Sequence, residues 1–274
     1  MKLKILVIFI ILSFWPTSLF LVNTLPNFIH YLIPTICLFC FYLLYRKNNL
    51  LYPIPLLAIP FFDLKLLLIP ILFFTIDLIF TRNKVNLISL LTSALILIAL
   101  FPQFRSQTVF YPDHNAYQKV IQDTRLYSSI FEARVFHNKA RIYLDRISNN
   151  FFALIDINNY FTGFHPREII IDNQNLKKFP TFSIVFLIFS LLNLKNLKSK
   201  KVIFTLLTAS LINLSFLSVF DRTDFILHLP TSLLIIYGIN FLDHNHSLKA
   251  KTFILFFILI SSIEYLKIFV DNLK

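Results

Sequence analysis

Residues 103–178 read QFRSQTVFYPDHNAYQKVIQDTRLYSSIFEARVFHNKARIYLDRISNNFFALIDINNYFTGFHPREIIIDNQNLKK, and they are the one long stretch that looks made for water. The stretch holds ten Lys/Arg and seven Asp/Glu, 17 of the 40 formal charges in 274 residues. Before and after it, the chain is nearly continuous apolar sequence. Apolar residues make up 57% of the whole, Phe alone contributes 33, and mean hydropathy is positive. That is too apolar for a water-soluble protein of this length, and runs of about 15–20 apolar residues are the pattern of a polytopic membrane protein.

Working outward, the apolar runs divide into nine expected spans, at 5–22, 28–45, 50–62, 66–80, 86–101, 179–194, 202–220, 225–242 and 252–270. The first follows Lys2 and Lys4 without a small-residue cleavage site, so it reads as an uncleaved anchor kinked at Pro16. The region 50–80 is ambiguous. Pro53, Pro55 and Pro60 make it a poor straight helix and Asp63-Leu64-Lys65 interrupts it, so two short spans or a re-entrant hairpin both fit.

Charge position fixes the expected orientation. With the N-terminus cytoplasmic, the inner turns hold 12 basic residues, from Lys2 and Lys4 through Arg46, Lys47, Arg82 and Lys84 to Lys249 and Lys251. The short outer segments hold four: Lys65, Arg222, Lys267 and Lys274. This bias is the positive-inside pattern, and long translocated segments are exempt from it. The expected fold is therefore an all-α polytopic membrane protein: a first transmembrane block over 1–102, a mainly helical extracytoplasmic domain over 103–178, and a second transmembrane block over 179–274. The net charge of +12 does not indicate nucleic acid, because most basic residues sit in short clusters between spans.

Inside 103–178, Pro112-Asp113-His114 reads as a turn, with Asn115 and Gln118 resembling a capping box. Val120, Tyr127, Phe131, Val135, Ile142 and Ile147 recur at helical spacing, and Arg141 with Asp145 forms an i,i+4 pair. Ser148-Asn149-Asn150 looks like a break before a second helical run at 151–161, which Gly163 ends. His165-Pro166 forces a turn, and 168–172 suits a short strand.

Few residues invite chemistry. Two glycines permit no phosphate-cradling loop, and they leave Ser, Thr and Ala to make close helix contacts. The histidines lack metal-ligand spacing; no metal set is evident. Cys37 and Cys40 form a CxxC within an apolar run, where two helix residues one turn apart are expected. Asp77 and Glu264 are acids within apolar runs, with Arg82 and Lys267 near enough to pair with them or to let them reach the surface. Arg222, in an outer loop, is suited to a bidentate grip on a lipid phosphate, with His228 following it; Asp221 and Asp224 are rival partners.

Arg134-Val135-Phe136-His137-Asn138-Lys139, then Asn159-Tyr160-Phe161 with Phe164-His165-Pro166, resembles the outer segment of bacterial GT-C-type membrane glycosyltransferases. These are relatives of the dolichyl-phosphate-mannose protein mannosyltransferases, in which an FxNK segment precedes an NYLxxFSPxFLF segment. Arg222, His228-Leu229-Pro230 and Gly238 resemble their last loop and the helix after it, so the likeness covers roughly 103–242. It implies a polyprenyl-phosphate-linked sugar as donor, used in envelope glycan or glycolipid assembly at the bacterial cytoplasmic membrane. It implies site roles for His137, Asn138, Lys139, Asn159, Tyr160 and His165, and lipid-phosphate contacts for Arg222 and His228.

The family's first outer loop carries an acid that acts as base or holds a divalent metal. Here residues 22–27 have none, which leaves Asp63 as the sole candidate for that catalytic role in the first half. A shortened relative, with or without catalysis, is the first expectation; a non-enzymatic scaffold whose outer domain binds another envelope protein is the second. The orientation is directly testable. With Cys37 and Cys40 replaced by serine, Ile130→Cys is expected to react with a membrane-impermeant maleimide in intact cells; labelling only after lysis reverses the topology.

Overall fold

The computed structural model describes residues 28–81, 83–111, 139–162, 178–194, 200–218, 221–244 and 248–271, with isolated positions between 118 and 132. Among the described residues the regular secondary structure is helical, with one isolated bridge between Thr108 and Leu217. The expected first span, the capping box at Asn115, Gly163 and the strand at 168–172 lie outside the described residues.

Among the described residues, the first half contains four α-helices: α1 (Phe28–Arg46), α2 (Pro53–Phe62), α3 (Leu68–Thr81) and α4 (Lys84–Arg105). Helix α2 starts on Pro53, where a missing N–H costs nothing, and holds Pro60 within its last turn. It is ten residues long, about 15 Å at 1.5 Å per residue, half of a hydrocarbon core about 30 Å thick. A 3-10 turn, Leu64–Leu66, reverses the chain into α3. Cys37 and Cys40 are free thiols on α1.

The second half contains α5 (Lys139–Ile155), α6 (Ile157–Phe161), α7 (Ser183–Leu192), α8 (Lys200–Ser215), a 3-10 segment Asp221–Leu227, α9 (His228–His244) and α10 (Leu248–Asp271). The Asn150 region does not break α5. Its side chain instead donates to the carbonyls of Ser215 (3.2 Å) and Leu217 (2.8 Å), where α8 runs out of intrahelical donors. The break falls later, at Asp156, whose side chain accepts from Asn158 N and caps α6. Arg141 Nε and Asp145 Oδ2 do pair on α5, at 3.8 Å and exposed.

Among the described residues, three helical stretches are long and apolar enough to cross a membrane: Leu64–Thr81, Lys84–Arg105 and Thr223–Leu242. Their side-chain arrangement fits lipid rather than water. On α4 the buried residues include Asn86, Ser89 and Ser93, whereas Ile88, Leu91, Leu95 and Ile98 are each at least 60% exposed. A water-soluble amphipathic helix would place these the other way round; small polar residues inside and large apolar ones outside is the membrane arrangement. Helix α10 likewise exposes Leu255, Leu259, Ile263 and Leu266.

Helix α8 is the centre of the bundle, packing against α3, α5 and α9. It buries Val202, Ile203, Leu206, Ala209 and Leu214, with Thr205, Ser210, Asn213 and Ser215 among them. Asn213 closes the corner between α2 and α3: its Nδ2 donates to Lys65 O (2.9 Å) and its Oδ1 accepts from Leu68 N (3.0 Å). The far ends of α4 and α8 are joined by Val109 N to Phe216 O (2.9 Å) and Ser218 N to Gln107 O (2.8 Å).

Of the two expectations for Asp77, reaching the surface or pairing with Arg82, its burial corrects the first. It is 1% exposed and turned into a polar cluster where α1, α3 and α4 meet. Tyr45 Oη donates to its carboxylate (3.1 Å to each oxygen), Asn86 Nδ2 donates to Oδ2 (2.8 Å), and Tyr52 Oη donates to Asn86 Oδ1. Hydrogen bonds from neutral donors replace the water the buried carboxylate has lost. Arg82 lies outside the described residues.

Close packing does use a glycine, against the expectation from composition. Helices α7 and α9 form the most extensive interhelical contact, and Gly238 sits where they meet. A Cβ there would collide with the backbone carbonyl of Phe186, its carbon 2.8 Å away. A backbone atom cannot swing aside as a side chain can. Gly238→Ala is therefore expected to destabilise the protein by on the order of 3 kcal/mol; thermal unfolding in detergent, with Ala209→Gly as a non-clashing comparison, measures it.

Candidate functional site

Helix α6 builds one side of the site. Its last residues leave carbonyls without helical partners, and the returning chain uses them. Tyr160 O accepts from Lys178 N (3.0 Å) and Phe179 N (2.8 Å), and Phe161 O accepts from Thr181 Oγ1 (3.0 Å). Tyr160 is held by its own hydroxyl, which donates to Leu154 O at 2.6 Å. Asn159 Nδ2 donates to Ala153 O at 3.4 Å.

This seam delivers Lys178 into the interior. Its side chain is 1% exposed, its Nζ donates to Asn159 Oδ1 (3.0 Å), and it stands 5.6 Å from the centre of the Tyr160 ring. Its ion-pair partner is Asp224 Oδ2, on the 3-10 segment before α9, and Asp224 is fully buried. Taking both charges out of water is expensive, and their attraction with the added hydrogen bond offsets that only while both are present.

His228, four residues on, begins α9. Its ring is stacked on Phe179 (centroids 4.5 Å apart, 26° between planes) and lies against Phe225 (4.7 Å). It is 4% exposed, and neither ring nitrogen has a hydrogen-bond partner among the described residues. An imidazole carries a donor and an acceptor on its edge, and burying both unspent is costly. The stacked phenyl rings cover its faces and satisfy neither.

The structure thus gathers Asn159, Tyr160 and His228 from the expected site residues, and adds Lys178 and Asp224. Asp63 lies elsewhere, at the α2 corner, where its side chain accepts from Lys65 N (3.0 Å) and caps the turn. Lys139 opens α5. Arg222 falls on the 3-10 segment two residues before Asp224, but its side chain, like all of His137, Asn138 and His165, lies outside the described residues. Asp224 was legible only as a local rival for Arg222; its partner Lys178 is 46 residues away. The signal available for both was position: each is a charge at the edge of a long apolar run. No group of residues that would hold a metal occurs among the described residues.

Compared with known protein families, curated proteins and solved structures, the chain matches none.

Chemically the cluster offers a buried ammonium, a buried carboxylate that neutralises it, and an imidazole with unused capacity, all at the head of a candidate span. Breaking the ion pair from one side leaves an uncompensated charge. Lys178→Met is expected to cost about 3–5 kcal/mol of stability, whereas Lys178→Met/Asp224→Leu recovers most of the loss. A double-mutant cycle read by chemical unfolding in detergent measures the difference.

Proposed function

We propose that the chain is a multi-pass protein of the bacterial cytoplasmic membrane that binds a polyprenyl-phosphate-linked sugar during envelope glycan or glycolipid assembly. It resembles a shortened GT-C glycosyltransferase, with or without transfer activity of its own. In this reading the N-terminus is cytoplasmic, nine segments cross or dip into the bilayer, and 103–178 faces outward.

One observation carries the proposal: an imidazole with both nitrogens unspent is buried at the head of a candidate span, within a cluster that also holds a buried lysine. A lipid phosphate supplies acceptor oxygens at that depth, and its hydrocarbon chain has the apolar faces of the bundle to lie against. Arg222, on the 3-10 segment that carries Asp224, is a residue whose guanidinium fork matches a phosphate. If transfer occurs, Asp63 is the acid available in the first half for the role of base or of ligand to a divalent metal. In the structure it is a capping residue, which favours binding over catalysis.

The scaffold reading is favoured by a different observation. The Lys178–Asp224 pair is closed within the chain, as a purely structural tie would be. Lipid bound to the protein separates the two. Protein purified in mild detergent is expected to carry polyprenyl phosphates, seen by mass spectrometry of the extracted lipid, and Arg222→Ala is expected to lose them. Ordinary phospholipid alone, in both proteins, supports the scaffold.

A further inference from the structure

The buried cluster has an asymmetry that the lipid-binding reading leaves unexplained. Asp224 delivers an oxygen to Lys178, while His228, on the next turn of the same chain segment, has no acceptor or donor at either nitrogen among the described residues. A carboxylate has two oxygens in one plane. A phosphate monoester presents three acceptor oxygens on a tetrahedron and carries about −1.5 to −2 charge near neutral pH, and a sugar-linked phosphodiester still presents two non-bridging oxygens with a charge of about −1. Such a group can meet the Lys178 ammonium and a His228 N–H together, which the Asp224 carboxylate does not do here.

Resting on the reading above, we propose that Lys178 is the ligand's phosphate-binding cation and that Asp224 is a built-in competitor occupying its place. The structure is then the closed form. When the phosphate of a lipid arrives, it takes over Lys178 and spends a nitrogen of His228, and Asp224 moves off the ammonium. The surroundings suit such an exchange. Asn159 Oδ1 holds the ammonium at 3.0 Å, and Tyr160 lies beside it at 5.6 Å, so neither anchor of the lysine depends on which anion it faces. Asp224 lies on a 3-10 segment, whose hydrogen-bond geometry is poorer than that of an α-helix and easier to rearrange. Internal competition lowers apparent affinity by the fraction of molecules that are closed, so removing the competitor raises affinity without any new contact.

The full-length protein in nanodiscs, titrated with a long-chain polyprenyl monophosphate and followed by native mass spectrometry, tests this. Asp224→Asn is expected to bind about 10-fold more tightly than the wild type; folding of this variant only when the lipid is present is the same result in stronger form. Lys178→Met/Asp224→Leu, which carries no unpaired buried charge, is expected to fold and to lose binding by about 10-fold or more. The polyprenol without phosphate is expected not to bind. Competition by millimolar inorganic phosphate assigns recognition to the free anion's chemistry, and its failure to compete assigns it to the lipid-borne group.

Equal or weaker binding by Asp224→Asn, or unchanged binding by the double variant, overturns the proposal and leaves the ion pair a structural tie. Because retention that depends on Arg222 survives that outcome, it is distinguishable from failure of the lipid reading, in which the wild type binds no polyprenyl phosphate at all.

Discussion

Away from water, a backbone or side-chain polar group has only the protein to satisfy it, and that constraint decides where this chain places its few polar residues. Helix α8 illustrates it. Asn213 is fully buried, and its amide is spent on the two backbone groups that the turn between α2 and α3 would leave open. At the end of α8, Asn150 of α5 supplies the donor that the last carbonyls lack. Without such pairings the corner and the helix end would each bury unsatisfied groups, at about 1–3 kcal/mol apiece. The apolar packing around them is abundant but unspecific; these amides set which helix meets which, and in what register.

The same constraint explains which parts of the fold were legible in the sequence. Apolar runs and lysine-rich turns are local signals, so the helical class and most helix positions could be read directly. The charged helix α5 could be read too, except at Asn150, where local rules and tertiary structure disagree. Asn has weak helix propensity, and three small polar residues in a row resemble a turn; a partner 67 residues away decides otherwise. Gly238 escaped for a related reason, since nothing beside it announces that Phe186 will press its backbone there.

Asp77 and Lys178 show the limit most sharply. Nearer opposite charges flank each of them in the sequence, Arg82 beside Asp77 and Asp172 beside Lys178. The structure connects Asp77 to Tyr45, 32 residues earlier, and Lys178 to Asp224, 46 residues later. Sequence spacing measures distance along one helix, and neither pairing lies along one helix. Asn159, Tyr160 and His228 were identified by resemblance to a motif, without any sign that Lys178 would bring them together.

The two buried polar clusters differ in a way that bears on what each is for. Helix α4, about 33 Å long, begins beside Asp77 and ends near the Thr108–Leu217 bridge. Around Asp77 the donors all run one way: Tyr52 to Asn86, Asn86 and Tyr45 to the carboxylate. Both oxygens are met, as expected of a tie that fastens helix ends. Around Lys178 the charges are neutralised, yet among the described residues the adjoining imidazole has both nitrogens unspent. A protein that needed only to close this end could have placed a phenyl ring between Phe179 and Phe225 at no polar cost. Histidine there makes sense if a further partner completes its hydrogen bonding, and that asymmetry directs attention to this cluster rather than the one around Asp77.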